Sequence, residues 1–205
     1  EFKIPSFWCE FRKDKGMKKL ILAASIMALT ACSAPQQEQI NVMPEASLSS
    51  SNIVQDKTYT LTSKDVRAAQ YVALVDSGRS NIQPIHAKQN MRISLEDALA
   101  KQLGSQGFRA SVNSENSIVL EIQEALVTVE HTIMENQMDG KVTLEVTAET
   151  PEGKLVKTFN GTATRTGALS ASNDDISMVL NDVINLVLTE IANDPELQNY
   201  MKERF

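Results

Sequence analysis

The sequence is poor in the residues that build most metal-binding and base-stacking sites. It has two cysteines, two histidines and one tryptophan in 205 residues, and aromatic residues make up 5% of the chain. A zinc site needs Cys and His clustered at short spacing, whereas His86 and His131 each stand apart from any such neighbour. Bases and sugars stack on exposed aromatic rings, which are scarce here. We therefore expect no metal ion and no cofactor, and interpret both histidines as ordinary strand or surface residues.

The chain also lacks an excess of positive charge. Residues 1–31 hold six of the 20 basic and three of the 26 acidic side chains, so the chain from Cys32 onward has a net charge near −9. Nucleic acids are bound largely through Lys and Arg on phosphates, so we expect no nucleic-acid partner. An anionic lipid surface is not attracted to such a chain either, and membrane binding has to come from another source.

The apolar stretch at residues 20–29 is shorter than the roughly 20 residues that a membrane-spanning helix requires. It follows Lys18 and Lys19 and precedes small residues, which is the pattern of a secretory signal peptide. The segment Leu29-Thr30-Ala31-Cys32 has the form of a bacterial lipobox. It predicts cleavage between Ala31 and Cys32, with diacylglycerol on the thiol and an N-acyl chain such as palmitate.

An ordinary signal peptide followed by a coincidental cysteine is the alternative interpretation. In bacteria, Asp directly after the lipidated cysteine is associated with retention in the inner membrane. Ser33 stands there instead, which favours the outer membrane, with the domain in the periplasm of a Gram-negative bacterium. Residues 17–31 are then the signal peptide, and residues 1–16 are interpreted as a non-native upstream extension.

Composition divides the remaining chain in two. Residues 32–56, which begin with the lipidated cysteine, are rich in Gln, Ser, Glu and Pro and are expected to be a flexible tether. At about 5–6 Å times the square root of its length, such a tether spans on the order of 25–30 Å. Residues 57–205 are expected to form one periplasmic domain, since helical and strand periods alternate along them.

This domain is predicted to be α+β, with a two-layer, largely antiparallel sheet, two main amphipathic helices on one face and a short C-terminal helix. A bulge is expected near Gln123-Glu124, where the alternation of apolar residues slips by one position. The dipeptide Asp139-Gly140 is expected to be a turn. The helices are predicted from apolar residues at helical spacing, namely Met91, Leu95, Leu99 and Leu103 in one and Ile176, Val179, Leu180, Val183, Val187 and Ile191 in the other.

The segment Ser170-Ala171-Ser172-Asn173, which joins a strand to the last long helix, has two interpretations. Ser172 with Asp175 three residues later can cap the helix, and the same small polar residues can form a docking notch for a partner. Asp174 and its acidic neighbour suggest a calcium loop, but the alternating ligands and glycine of such a loop are missing. Acidic residues complementing the helix dipole are the simpler explanation.

These features together resemble the YajG-like family of bacterial lipoproteins. The resemblance rests on the lipobox, on residues 91–103 running into Gln106-Gly107-Phe108, and on residues 167–173 before a Val- and Leu-rich helix. It implies an outer-membrane lipoprotein without known active-site residues, and only Cys32, as the acylated position, carries a functional role over from the family.

The sequence leaves three classes of function open. The leading hypothesis is a non-enzymatic accessory protein of the cell envelope, anchored to the membrane through Cys32 and acting by contact with another envelope protein. A carrier of a small molecule or lipid, held between sheet and helices, is the alternative. A cell-wall enzyme is a third possibility, although no catalytic motif is present.

Overall fold

A computed structural model describes residues 38–78 and 81–205. Within these residues the chain forms eight strands and three helices. They are β1 (Gln39–Ile40), β2 (Lys57–Asp65), β3 (Tyr71–Asp76), β4 (Ile82–Ala87), α1 (Met91–Ser105), β5 (Phe108–Ala110), β6 (Ser117–His131), β7 (Glu135–Thr150), β8 (Gly153–Ala168), α2 (Asn173–Asn193) and α3 (Pro195–Arg204). The predicted extension, signal peptide and Cys32 lie outside the described residues.

The strands form one sheet around β6. Along one edge β6 pairs antiparallel with β7 over almost its whole length, and β7 pairs antiparallel with β8. Along the other edge its first half pairs parallel with β2 and its second half parallel with β3. The short strand β5 extends the sheet beyond β2, and β4 and β1 extend it beyond β3.

The α+β class is confirmed, but the prediction of a largely antiparallel sheet is wrong. Four of the seven strand pairings among the described residues are parallel. Antiparallel neighbours are joined by short turns that leave a local signal in the sequence. Parallel neighbours come from distant segments and leave none. Periodicity identified the strands without identifying their partners.

The predicted packing of the helices also needs correction, because the two main helices divide the sheet between them. Helix α1 contacts β2 and β5, whereas α2 contacts β6, β7, β8 and also β1. Their predicted apolar faces are both fully buried. The short helix α3 closes the end of the core through Leu197 and Met201.

Helix α2 lies directly on the backbone of the sheet. A Cβ atom added to Gly140 would stand 2.9 Å from Val179 Cγ1, and one added to Gly161 would stand 2.6 Å from Val187 Cγ2. Such distances are shorter than real Cβ contacts, so only glycine permits this approach. Asp139-Gly140 is therefore not a turn. It lies inside β7, and the turn after β6 comes earlier in the chain.

The described part of the predicted flexible tether is folded. Ile40, Val42 and Val54 are buried in the main core. The backbone amides of Met43 and Glu45 donate to side-chain oxygens of α2, each at 2.8 Å, and those of residues 53 and 54 donate to the carbonyl of Gln106. The segment lacks the period of a helix or strand because it packs as an irregular strap. The folded unit therefore begins near Gln39 and not at residue 57.

Candidate functional site

The two predicted processing residues, Ala31 and Cys32, precede the described residues, which show instead where the chain enters the fold. Strand β1 pairs parallel with β4, with Gln39 opposite His86. Cys32 is seven residues before Gln39. A fully extended chain of that length reaches at most about 23–25 Å.

The capping interpretation of the segment after β8 is confirmed. The Ser172 hydroxyl accepts from the Asp175 amide at 3.2 Å, and the Asp175 carboxylate accepts from the Ser172 amide at 3.0 Å. The hydrogen bonds from Ser172 lower the pKa of the Asp175 carboxyl below its usual value. Ser172 thus serves the helix terminus through both its hydroxyl and its backbone amide. Docking at this segment stays a prediction.

Four large apolar side chains are exposed at one end of the sheet, and we call this group the apolar patch. Ile133 is 97% exposed, Met134 81%, Leu169 72% and Ile82 57%. Ile133 and Met134 form the tip of the turn between β6 and β7, and Leu169 lies in the loop after β8. Ile82 begins β4 at the same end, because β4, β3 and β6 are in register there. Sequence reasoning missed the patch.

The backbone of the patch is held by hydrogen bonds. The Leu169 amide donates to the Met134 carbonyl at 3.2 Å, and the Asn136 amide group donates to the Leu169 carbonyl at 2.9 Å. Leu169 has a φ of 64°, a left-handed conformation that is costly for a leucine. The surrounding bonds therefore maintain a strained backbone that keeps Leu169 next to the hairpin tip.

The two histidines occupy separate places. His131 accepts a hydrogen bond from the Ala171 amide at 3.2 Å, so one ring nitrogen is engaged by the loop after β8. His86 lines a small polar cleft of about 330 Å³ at the start of α1. Across the described parts of the chain, no group of three or more His, Cys, Asp and Glu side chains is placed to hold a metal ion.

An ion pair between Asp65 and Arg67 forms one wall of that cleft. Its closest atoms are 2.7 Å apart, and the Arg67 side chain is only 7% exposed. Arg67 also donates to the carbonyls of Tyr71 and Ala125, each at 3.2 Å. The hydrogen bond from Arg67 lowers the pKa of the Asp65 carboxyl, although burial acts in the opposite direction. With its donors engaged by the protein, Arg67 has a structural role that joins β2, β3 and β6.

A larger polar recess of about 800 Å³ lies at the end of the sheet away from the apolar patch. Its walls come from the loop before β6, the turn between β7 and β8, and the C-terminus. Arg204 and Glu152 form a 3.0 Å ion pair across it. Such an open, hydrophilic recess does not suit the enclosure of an apolar ligand.

The space between α2 and the sheet offers no room for a carried ligand. Val179 and Val187 touch backbone at Gly140 and Gly161, and the side chains around them are fully buried. Tyr59 is buried on the same core, where burial raises the pKa of its hydroxyl to about 12. It is therefore neutral at physiological pH and unsuited to accepting a proton from a substrate.

Among the residues that the structure describes, no helix is both long and apolar enough to cross a membrane.

The described residues define an α+β protein with a mixed sheet, and comparison with known proteins identifies the family. The sequence model of a family described as "Uncharacterized lipoprotein" matches residues 44–202. The chain belongs to this family, as the resemblance to YajG-like lipoproteins predicted. Uncharacterized lipoprotein YajG of Escherichia coli K12 is 21% identical over 188 residues, which cover 91% of this chain and 97% of that protein.

A solved structure of low sequence identity shares the fold. Protein XCC0632 from Xanthomonas campestris superposes with a TM-score of 0.51 at 12% identity, over 81% of this chain and 96% of its own. A minor lipoprotein from Acinetobacter baumannii is 18% identical over 70% of this chain and 91% of its own, with a TM-score of 0.36. The first of these supports the fold alone.

Proposed function

We propose that this chain is a lipoprotein whose mature N-terminus is Cys32, carrying diacylglycerol on its thiol and an N-acyl chain. Membership of a lipoprotein family supports the proposal, as does the lipobox that ends in Ala31-Cys32. Each buried methylene contributes about 0.8 kcal/mol, and one chain alone binds only marginally. Three chains anchor the protein firmly without any basic surface.

The observation that carries the proposal is the lipobox Leu29-Thr30-Ala31-Cys32, which ends a short distance along the chain before the folded unit. Cys32 precedes the first strand by seven residues, and the strand that follows is tied to β4 and to the core. An acylated Cys32 therefore holds the start of the first strand within about 25 Å of the bilayer. A flexible tether over residues 32–56 would instead reach roughly 80–90 Å when fully extended.

The proposed location is the periplasmic face of the outer membrane, because Ser33 follows the cysteine. Palmitate labelling in a Gram-negative host, followed by separation of the two membranes on a density gradient, tests both steps. We expect label on the wild-type chain in the outer membrane and no label on Cys32→Ser. Ser33→Asp should keep the label and move to the inner membrane. An unlabelled wild-type chain would overturn the anchor, and a labelled wild-type chain in the inner membrane would overturn the location.

We further propose that the domain acts without catalysis, by contact with another envelope protein. The polar recess supports this role because it is open and lined by charged side chains, including Glu115 and Glu152. A photoreactive residue at Glu115 should give a defined crosslinked partner in cells, and one at Val156, which is exposed on β8, should not. Loss of the adduct in Cys32→Ser would tie the contact to the anchored protein. Adducts that are equal at both positions would argue against a specific partner at the recess.

A further inference from the structure

We infer that the apolar patch of Ile82, Ile133, Met134 and Leu169 is a second membrane contact, resting in the interfacial layer of the bilayer that anchors Cys32. This inference depends on the proposed acylation of Cys32. It adds an orientation of the domain to the anchor, with the hairpin tip toward the lipid and the polar recess toward the periplasm.

The direction of the first strand supports this orientation. Because β1 is parallel to β4, the chain runs from Gln39 to Ile40 in the same direction as β4 runs from Ile82 to Ala87. Ile82 lies at the end of the sheet that carries the apolar patch, opposite Asp76 of β3. The chain therefore enters the folded unit from the side on which these apolar side chains are exposed.

The reach of the chain agrees with this placement. Ile82 is four residues before His86, a distance of about 13 Å along an extended strand. The seven residues from Cys32 to Gln39 can reach at most about 23–25 Å. The anchor can therefore extend roughly 10 Å beyond the level of Ile82 and no more. A lipid surface that holds Cys32 is thus within contact distance of the apolar patch.

Folding does not require the hairpin tip between β6 and β7 to be apolar. Thr132 and Glu135 close the turn, with the Thr132 amide donating to the Glu135 carbonyl at 2.8 Å and the Glu135 amide to the Thr132 hydroxyl at 3.2 Å. Asn, Asp and Gly normally occupy an exposed turn of this kind. Ile133 and Met134 gain no burial from the fold, so their exposure indicates a surface outside the chain.

Leu169 adds a second, independent sign of a ligand surface. A leucine in a left-handed conformation is strained, and asparagine or glycine would accept the same backbone more easily. The structure nevertheless places this apolar side chain in solvent beside Met134. Observed strain that exposes an apolar group fits a binding surface better than a packing need.

Tethering makes a weak apolar contact effective. Once Cys32 is in the bilayer, insertion of the loops is an intramolecular step at high effective concentration. The carboxylates of Asp76, Glu130 and Glu135 border the apolar patch, so an uncharged lipid surface fits it better than an anionic one. We therefore choose phosphatidylcholine vesicles as the probe.

Tryptophan fluorescence tests the inference on the acylated protein. The only tryptophan of the sequence, Trp8, lies upstream of the proposed cleavage site and is absent from a chain that begins at Cys32, so a single introduced tryptophan reports without background. Met134→Trp reports on the apolar patch, and Ile133→Trp repeats the measurement one residue away. Val112→Trp is the matched control, because Val112 is 91% exposed in the loop before β6, at the opposite end of the sheet.

Each purified protein is checked for acylation by intact mass and incorporated into vesicles with or without brominated acyl chains. We expect brominated lipid to quench Met134→Trp and Ile133→Trp, with emission shifted to shorter wavelength, and to leave Val112→Trp unchanged. Equal fluorescence of Met134→Trp in both vesicles would overturn the inference while leaving the anchor intact. A blue-shifted but unquenched signal would indicate cover by protein and would also overturn it. A chain without acyl mass would overturn the proposed anchor and this inference with it.

Discussion

The contact between Gly161 and helix α2 allows a direct test of the packing that holds the domain together. In Gly161→Ala the new Cβ would lie 2.6 Å from Val187 Cγ2 and 3.2 Å from the Val183 carbonyl oxygen. One of these contacts is to backbone, so rotation of a side chain cannot relieve both. Overpacking of this kind costs typically about 1–3 kcal/mol. The helix has to move away from β8, and we expect the free energy of unfolding to fall by that amount.

The matched control is Gly104→Ala. No atom lies within 4 Å of a Cβ at Gly104, which is in the last turns of α1. Alanine there should raise stability by up to about 1 kcal/mol, because glycine is the weaker helix former. Urea denaturation of the compact unit spanning residues 37–205 measures both variants. Each kcal/mol should also move Tm by about 2–4 °C in a protein of this size.

A double variant sharpens the same test. Val187→Ala removes the methyl groups nearest to Gly161, so it should be less harmful in the Gly161→Ala background than alone. Gly161→Ala with wild-type stability, or effects of the two changes that simply add, would refute the close approach of α2 to β8.

Three further predictions concern single side chains. Gln102 is fully buried in α1, and neither polar atom of its side-chain amide has a hydrogen-bond partner among the described residues. Gln102→Met should therefore raise the free energy of unfolding by about 1–3 kcal/mol in urea denaturation. A loss of stability would mean that the amide has a partner. Ser172→Ala removes the cap of α2 and should lower the free energy of unfolding by about 0.5–2 kcal/mol in the same assay. Ser170→Ala should change it by no more than about 0.5 kcal/mol. Equal effects would refute the capping role. The pKa of Asp65 is lowered in the folded protein. Its ionised carboxylate therefore contributes stability at pH values above the pKa of the unfolded chain, and this contribution is lost as the pH falls through the pKa of the folded protein. Asp65→Asn should therefore be less stable than the wild type at neutral pH and show a shallower fall in stability below about pH 4. Thermal unfolding measured across this pH range tests both expectations. A pH profile parallel to that of the wild type would contradict the ion pair.

Periodicity in the sequence was enough to predict the buried faces of the helices and the irregularity in β6. All four residues of the α1 stripe are buried, and the register shifts between Ile122 and Glu124, where the bulge was expected. These features are local, because each depends on side chains a few residues apart on one element.

The features that depend on distant segments were not predictable in the same way. Gly140 follows Asp139, a pair that normally indicates a turn, but its function is to let Val179 approach from α2. The strap at residues 38–56 has the composition of a disordered segment, yet it is held by side chains of α2 and by Gln106. In both cases a contact more than thirty residues away in the chain outweighs the local signal.

The same difference between local and distant features applies to the candidate functional residues. The lipobox is a linear motif, so Cys32 and Ala31 can be read directly from the sequence. The apolar patch is not linear, since Ile82, Ile133 and Leu169 come to the same end of the sheet only through the pairing of five strands. The apolar pair Ile133-Met134 was a usable signal, but it falls in a turn whose position was misjudged because of Gly140.

The mass of the N-terminal peptide determines whether Cys32 carries the acyl chains that would hold this domain at the membrane. Protein isolated from the native host is digested, and its first peptide is measured. We expect a peptide that begins at Cys32 and carries the mass of a diacylglyceryl group and an N-acyl chain. A peptide that begins elsewhere, or begins at Cys32 with a free thiol, would contradict this expectation.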